Sequence, residues 1–437
     1  MKLNLWIATI LLGLSCNSHP SVESFDTADL VKVNRSLLEV AMVDGFSPPV
    51  ASRVYVYPHI AFYTTLRLFY PDSLADLAGS LNNFPEYKNL NTENANPELT
   101  ALLCFAQVSK ALVFSEQLAE NMQQEILAKA NSIKISPSSI TASKELAAQI
   151  TKTLIPWIKS DNYIYTRTLE RYTSSKLQYN WRETPPDYTA GLEPNWSKIR
   201  PLITDSSNQY KCNALPEFSL DKKSDFYKTV YEVYAESKQL DSAKINIALY
   251  WDDNPNVSKY SGHLMRMEHK ISPPGHWLNI IGQFSIANHK SIFQTSMAYT
   301  LSSIAMFDGI IQCWKTKYET NIIRPISYIL ENIDESWRPL IQTPPFPEFT
   351  SGHSVVSAAA AEVLSQLFGK DVSFIDSTEV LFGHPVKKFT NFHEAAMEVS
   401  LSRYYGGIHY KHSVLEGNKQ GIFIAQNILQ KLNSEKH

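Results

Sequence analysis

Glycine is scarce in this chain, with 15 residues among 437. A chain of ordinary composition contains about 7% glycine, so this one has few of the tight turns and left-handed backbone positions that glycine supplies. The scarcity argues against hairpin-rich all-β folds and against glycine-rich nucleotide-binding loops. The chain contains neither a GxSxG motif nor a P-loop, so a serine hydrolase and an NTPase have no support. These absences leave a mostly helical protein with long elements as the expectation.

The chain also lacks an excess of basic charge and long apolar runs. Its 40 Lys and Arg residues face 43 Asp and Glu residues, for a net charge of −3, which argues against a nucleic-acid-binding surface. Hydrophobic residues make up 44% of the sequence, enough for a sizeable core. No segment after the N-terminus has the 18 or more consecutive apolar residues expected of a membrane-spanning helix.

Cysteine is rare, and the four cysteines show no metal-binding spacing. Cys16 follows Lys2 and the apolar run 3–14, a pattern typical of a secretory signal peptide at 1–16. Because the run ends on Leu-Ser-Cys, it resembles a bacterial lipoprotein signal, in which the cysteine is lipidated and becomes the mature N-terminus. We therefore expect an exported protein that is lipid-anchored to the bacterial cell envelope. Simple secretion to the periplasm or the medium is the alternative.

Apolar positions recur at helical spacing through most of the chain. Helices are predicted over 27–43, from 48 onward, over 97–132 with one break, and over 137–158. Residues 159–222 lack this periodicity and are rich in Tyr, Trp, Asn and Pro, which indicates an irregular connector. The helical pattern returns at about residue 224. The sequence thus predicts two helical halves, 17–222 and 223–437.

The last third of the chain contains two segments suited to binding an anion. Lys317 and Arg324 are seven residues apart, or two helical turns, and therefore face the same side of a helix that Pro325 ends. Ser351 and Gly352 begin another helix, whose free N–H groups and positive dipole end attract anions. Taken singly, these features also suit a surface pair of cations and an ordinary helix cap.

A third segment adds an arginine and a histidine. Gly406-Gly407 lets the chain turn, so that Arg403 and His409 can converge. Together the three segments combine three cations, a helix start and two histidines, the second being His353. Guanidinium and ammonium groups suit a tetrahedral oxyanion such as phosphate or vanadate, and histidines suit a nucleophile or metal ligand with an acid–base partner.

The order and spacing of Lys317-x6-Arg324-Pro325, Ser351-Gly352-His353 and Ser402-Arg403-x5-His409 resemble a known signature. Vanadium-dependent haloperoxidases and type-2 phosphatidic acid phosphatases share it, and the likeness is strongest over 314–417. The resemblance implies an all-α fold of two four-helix-bundle-like halves, with the site in the second, and vanadate as cofactor or phosphate in its place. It implies that His409 binds vanadium or attacks phosphorus and that His353 is the acid–base group. The oxygen-binding residues implied are Lys317, Arg324, Ser351, Gly352 and Arg403.

Two aromatic residues favour the haloperoxidases within this superfamily. Trp314 and Phe346 match aromatic positions near the vanadate in members of the chloroperoxidase type, where they imply a halide pocket. The resemblance therefore implies a secreted bacterial haloperoxidase that uses hydrogen peroxide on iodide or bromide, since chloride demands the most potent site. The alternatives are a secreted acid phosphatase with His409 as nucleophile and a non-catalytic lipoprotein that binds oxyanions. No pattern indicates an oligomer.

One position departs from the family pattern. Ser413 stands where the family usually has an Asp four residues after the last histidine. A carboxylate there would select the tautomer of His409 and raise its basicity. Glu416, on the same predicted helix face, or a backbone carbonyl is expected to take over this role.

Other polar residues are interpreted as structural. Asp252 and Asp253 could bind a cation, but two adjacent carboxylates more often cap a turn. His263, His269 and His276 are separated by six and seven residues, which is not a usual zinc spacing. They are predicted to be structural or loop histidines.

Overall fold

The computed structural model describes residues 24–175, 177–205, 210–261 and 263–434, so the predicted signal peptide and Cys16 lie outside the described residues. The described chain is mostly helical, which confirms the all-α prediction. Its helices are α1 (Thr27–Val43), α2 (Pro48–Phe69), α3 (Pro97–Lys110), α4 (Glu116–Ser132), α5 (Pro137–Lys159), α6 (Tyr163–Thr166), α7 (Asp225–Ser237), α8 (Ser242–Tyr250), α9 (Pro273–Ala287), α10 (Ile292–Thr320), α11 (Pro325–Asn332), α12 (Gly352–Phe368), α13 (Phe392–Tyr405) and α14 (Lys411–Ser434).

Two short antiparallel hairpins interrupt the helices. They are formed by β1 (Val257–Ser261) with β2 (Leu264–Glu268) and by β3 (Phe374–Asp376) with β4 (Lys387–Phe389). The first lies in the polar segment 251–274, which shows no clear strand pattern because most of the hairpin is exposed. Ser258 anchors it: its N–H donates to Gln342 at 3.0 Å, and its hydroxyl donates to Asp187 at 2.7 Å.

The helix starts follow local sequence signals. A capping box of Asp26 and Asp29 begins α1, and Ser291 with Gln294 forms another at the start of α10. Proline occupies the first turn of α2, α3 and α5, where its missing N–H costs nothing. The predicted helix 97–132 does break once, between α3 and α4. These local signals explain why the helix starts could be predicted from sequence.

Helix α10 lies at the centre of the molecule. It packs against both α2 and α12, while α12 also packs against α13 and α14. One hydrophobic core therefore runs from α1–α5 through α10 to the C-terminal bundle, and the two predicted halves share it. A smaller core of mixed aromatic and aliphatic residues lies beneath α7 and α11.

Two glycines allow α14 to approach α12 closely. A Cβ at Gly421 would lie 2.2 Å from the carbonyl oxygen of Val355, and one at Gly417 would lie 2.8 Å from that of Ser351. The start of α12 is thereby held against α14. Within the described ranges, no helix is long and apolar enough to cross a membrane.

Candidate active site

The last turn of α10 carries Lys317, which is completely buried. Its ammonium group donates to the carbonyl oxygens of Pro347 and Glu348, both at 3.0 Å. An ammonium has three N–H donors, so one remains for a ligand. Burial lowers the pKa of Lys317 to about 7, and the nearby Arg324 charge acts in the same direction. A bound anion would restore the charged form.

Arg324 lies at the N-cap of α11, in extended conformation just before Pro325. Its Nε donates to the Phe346 carbonyl at 2.9 Å, and its Nη1 donates to the Ile408 carbonyl at 2.8 Å. The same Nη1 lies 3.1 Å from Nε2 of His409. Nη2 is buried and has no hydrogen-bond partner among the described residues. The guanidinium is thus held in place by two carbonyls, with one nitrogen unsatisfied.

The segment Ser351-Gly352-His353 begins α12, as the sequence predicts. Ser351 is the N-cap and accepts a hydrogen bond from the Ser354 N–H. A Cβ at Gly352 would lie 3.3 Å from the Trp314 ring, so the backbone passes close to that indole. Nε2 of His353 is buried and unpartnered in the described structure. Burial, followed by the Arg403 and Lys317 charges, lowers the pKa of His353 well below its usual value, so the ring is neutral and can accept a proton.

Arg403 and His409 converge as predicted. Arg403 lies in the last turn of α13, and Gly407 turns the chain with a φ of 77°. Nη1 of Arg403 donates to the Trp251 carbonyl at 2.8 Å and lies 3.8 Å from Oδ1 of Asp252. Its Nε is buried without a partner in the described part of the chain.

The carboxylate that orients His409 comes from Glu348. Nδ1 of His409 lies 2.7 Å from Oε1 of Glu348, and Ser413 donates its hydroxyl to the other carboxylate oxygen at 2.6 Å. The Tyr410 N–H also donates to Oε1 at 3.0 Å. Because the Nδ1 N–H donates to Glu348, Nε2 of the neutral ring carries no proton, and its lone pair faces Nη1 of Arg324. Burial and the Arg324 charge lower the pKa of His409 well below its usual value, so the ring is neutral.

The expectation for Glu416 was wrong. Glu416 accepts hydrogen bonds from the Asn213 N–H at 2.9 Å and from Lys419 at 2.7 Å, away from His409. The expected backbone carbonyl is not the partner of Nδ1 either. Glu348 stands 61 positions before His409 in the chain, so no local spacing connects them. The only sequence signal was a single acid in the apolar segment Phe346–Phe349, and that signal was missed.

An aromatic wall borders the cations. The rings of Trp314 and Phe346 lie 5.0 Å apart between centroids. The ammonium of Lys317 and the guanidinium carbon of Arg324 each lie 5.0 Å from the Phe346 centroid, within cation–π distance. The wall therefore combines an apolar surface with a positive field.

A cavity of about 310 Å³ opens onto this wall. Six of the sequence-predicted residues line it, namely Trp314, Phe346, Gly352, His353, Arg403 and His409. Lys317, Arg324 and Ser351 are completely buried and do not line the cavity. The rest of the lining is mostly apolar or uncharged, and Met267 of β2 contributes from the hairpin. The structure thus brings together every predicted site residue except Cys16, which lies outside the described residues.

The unsatisfied groups fit a tetrahedral oxyanion. Arg324 and Arg403 each hold a buried N–H without a partner in the described ranges, and Lys317 has a third N–H to donate. Leaving buried charged donors unpaired is costly, and an anion with several oxygens would satisfy them together. Neutral His409 adds an unprotonated Nε2 beside Arg324. Vanadate and phosphate are both tetrahedral oxyanions of the kind that these donors suit.

Comparison with known proteins identifies the family. The model of the VCPO second helical-bundle domain matches residues 297–436, the part that contains the whole site. A solved bacterial vanadium-dependent iodoperoxidase is 38% identical, with a TM-score of 0.87, covering 94% of this chain and 97% of its own. The chain belongs to the vanadium-dependent haloperoxidases. It is therefore a peroxidase-type oxidoreductase whose family uses vanadate and small substrates such as halide and hydrogen peroxide.

More distant vanadium haloperoxidases share the fold. The holo form of a bacterial vanadium-dependent chloroperoxidase is 15% identical, with a TM-score of 0.64 over 90% of this chain and 95% of its own. The apo form of a bacterial vanadium-dependent chloroperoxidase is 14% identical, with a TM-score of 0.60 over 93% of this chain and 94% of its own. A search of curated proteins gives no significant match.

Proposed function

We propose that this haloperoxidase oxidises iodide or bromide with hydrogen peroxide, using vanadate bound to Nε2 of His409. One observation carries the proposal. Neutral His409 lies beside the guanidinium of Arg324 and lines an apolar cavity together with Arg403 and His353. Each of these three residues has one buried nitrogen that lacks a partner in the described structure, namely Arg324 Nη2, Arg403 Nε and His353 Nε2. Two donors, a base and a ligand nitrogen at one place form a site for a reactive oxyanion rather than a structural core.

Each residue has a defined role in this proposal. Lys317, Arg324 and Arg403 would hold the oxygens of vanadate, helped by the Ser351 hydroxyl and the Gly352 N–H. Their positive charges also balance the negative charge of the oxyanion. When bound, vanadate supplies the Lewis acid that activates peroxide toward attack by halide.

His353 acts as the base in the same proposal. Its Nε2 would accept a proton from hydrogen peroxide, because burial and then the neighbouring Arg403, Lys317 and Arg324 charges lower the pKa of His353 and keep the ring neutral. The same cations keep its conjugate acid strong, so that the proton is readily returned to a departing oxygen. This role does not require His353 to contact the metal.

The preference for iodide or bromide follows from the wall of Trp314 and Phe346. A halide that approaches this wall loses part of its hydration shell, and the cost of desolvation is lowest for the largest anions. The Lys317 and Arg324 charges behind Phe346 offset part of that cost. The 38% identical relative is an iodoperoxidase, which also supports iodide.

The test is vanadate-dependent oxidation of iodide. Protein freed of vanadate should form triiodide from iodide and peroxide only after vanadate is added, saturating near one vanadium per chain. His409→Ala should abolish this activity. His393→Ala, which removes a histidine paired with Glu362 outside the site, is the matched control and should retain it.

Three results would count against the proposal. A His409→Ala protein with full vanadate-dependent activity would remove His409 as the ligand. Wild-type protein that hydrolyses p-nitrophenyl phosphate while its iodide oxidation ignores vanadate would instead indicate the acid phosphatase. Protein that binds phosphate but catalyses neither reaction would indicate the oxyanion-binding lipoprotein.

We also propose that the protein is exported and anchored to the cell envelope by a lipid on Cys16. The support is the N-terminal pattern of Lys2, the apolar run 3–14 and Leu-Ser-Cys. Intact mass of the protein from bacterial membranes should show an N-terminus at acylated Cys16. A Cys16→Ser variant that still fractionates with membranes through an acyl group would overturn this.

A further inference from the structure

A second cluster of titratable residues lies beside the vanadate site and has no role in the proposed reaction. Asp253, His276 and Glu379, called the His276 cluster below, are all buried. Nδ1 of His276 lies 2.9 Å and 3.1 Å from the two carboxylate oxygens of Asp253 and 3.9 Å from Oε1 of Glu379. One ligand atom from each residue lies within 4.8 Å of the others. The cluster thus gathers one nitrogen and carboxylate oxygens around a common point.

The opposite side of the His276 ring is held by a further carboxylate. Nε2 lies 2.8 Å from Oδ2 of Asp376, and that oxygen also accepts the Tyr250 hydroxyl at 2.8 Å. The other oxygen of Asp376 accepts the Thr378 N–H at 2.9 Å. Histidines that bind metal ions usually donate their second N–H to such a carboxylate, which orients the ring and makes the ligand nitrogen more basic. The arrangement leaves Nδ1 as the ligand atom.

Glu379 provides an independent sign that a cation belongs here. Oε1 of Glu379 is buried and has no hydrogen-bond partner in the described ranges, although the side chain is only 1% exposed. It faces the same nitrogen as Asp253. Burial, together with the Asp253 charge, raises the pKa of Glu379 to about 8. A cation at the common point would satisfy the unpaired oxygen and relieve the repulsion.

We propose that Asp253, His276 and Glu379 bind a divalent first-row cation such as Zn²⁺ or Mn²⁺. One imidazole nitrogen with carboxylate oxygens suits these ions, whereas Ca²⁺ and Mg²⁺ prefer oxygen ligands alone. Asp253 also lines the cavity of the active site, which supplies an entry path. The neighbouring Asp252 lies 3.8 Å from Arg403, so the cation would brace the loop that contacts this oxyanion-binding arginine.

A protonated His276 is the competing arrangement. Although burial opposes it, the Asp253 and Asp376 carboxylates raise the pKa of His276 well above its usual value. In that state the Nδ1 N–H would donate to Asp253 in place of a metal ion, while the Nε2 N–H donates to Asp376. Metal binding at Nδ1 must displace this proton, so the two arrangements exclude each other and can be distinguished by measurement.

The experiment is a zinc titration of the full-length protein after chelation, without vanadate, halide or peroxide. Wild-type protein should bind one equivalent of Zn²⁺ and unfold at a higher temperature with it. Glu379→Gln should bind Zn²⁺ at least about tenfold more weakly. Glu362→Gln, a buried carboxylate that contacts His393 instead, is the matched control and should bind like the wild type. His409→Ala should also keep the zinc, which separates this site from the vanadate site.

Two results would overturn the proposal. One is a wild-type protein that binds no stoichiometric zinc, and the other is a folded Glu379→Gln variant with unchanged affinity. If Glu379→Gln fails to fold, X-ray absorption of the wild-type zinc complex decides the matter. It should show one imidazole nitrogen and carboxylate oxygens at about 2.0–2.2 Å, and a shell without imidazole would refute the site. None of these readouts depends on haloperoxidase activity.

Discussion

Glu348→Gln tests the unexpected part of the active site, because it removes one charge and preserves the hydrogen bonds. The amide oxygen of Gln can accept from Nδ1 of His409 and from the Tyr410 N–H, as Oε1 of Glu348 does. The amide NH₂ would face the Ser413 hydroxyl, which can rotate to accept instead of donate. The variant should therefore fold, and its defect should come from the missing charge.

The magnitude follows from the contact between His409 and Glu348. A charge-assisted hydrogen bond of 2.7 Å to the ring increases the basicity of Nε2. Loss of such a partner of a metal-binding histidine costs about 10–100-fold in metal affinity, or about 1.4–2.8 kcal/mol. Vanadate affinity of Glu348→Gln should fall by this factor. Removal of a negative charge beside Arg324 and Lys317 also makes the site more favourable for an oxyanion, which offsets part of this loss. We therefore expect vanadate affinity to fall by a factor near the lower end of the range.

The assay is a vanadate titration of vanadate-free protein, followed by iodide oxidation at saturating peroxide. Glu416→Gln is the matched control, because that carboxylate lies on the face predicted from sequence and yet contacts Asn213 and Lys419. It should bind vanadate like the wild type. Unchanged vanadate affinity in a folded Glu348→Gln protein would refute the reasoning, as would a Glu416→Gln protein with the larger defect.

Three further predictions concern proton uptake and stability. Because burial lowers the pKa of Lys317 to about 7, free protein lacks this proton above neutral pH and should take it up when an anion binds. Calorimetry at pH 8 with tungstate, in buffers of different ionisation enthalpy, should detect the uptake in wild type but not in Lys317→Met. Asp161→Ala leaves buried Arg53 without the carboxylate 2.6 Å away, and should lower the free energy of unfolding in urea by about 3–5 kcal/mol. Replacing glycine with alanine in an exposed helix stabilises the fold by about 1 kcal/mol. At Gly421, however, the new Cβ would lie 2.2 Å from the Val355 carbonyl oxygen. Gly421→Ala should therefore lower the melting temperature, and a raised melting temperature would contradict the packing.

Local signals explain why the helices predicted from the sequence agree with those of the structure. Proline in the first turn and capping side chains act within three or four residues of a helix start, so the starts at Thr27, Pro48, Pro97 and Pro137 could be predicted. The hairpin over 257–268 could not, because its exposed strands lack an alternating apolar pattern. Its position depends instead on side-chain contacts with distant segments.

The carboxylate partner of His409 shows which part of the site could not be predicted from the sequence. Ser413 stands at the usual position of a carboxylate, and the sequence alone suggested that the role passes to Glu416. The structure places Ser413 beside Glu348, where its hydroxyl holds a carboxylate that arrives from another segment. In the same way, Asp253 and His276 are separated by 23 positions and meet only in the fold.

By itself, the sequence determined that this protein is mostly helical, and it predicted one oxyanion site in the last third of the chain. Those properties depend on composition, helical spacing and short motifs, all of which act over a few residues. Only the tertiary structure decided which carboxylate orients His409 and where the His276 cluster forms. Those contacts join residues far apart in the chain, and the packing of α10, α12 and α14 around one core determines which of them meet.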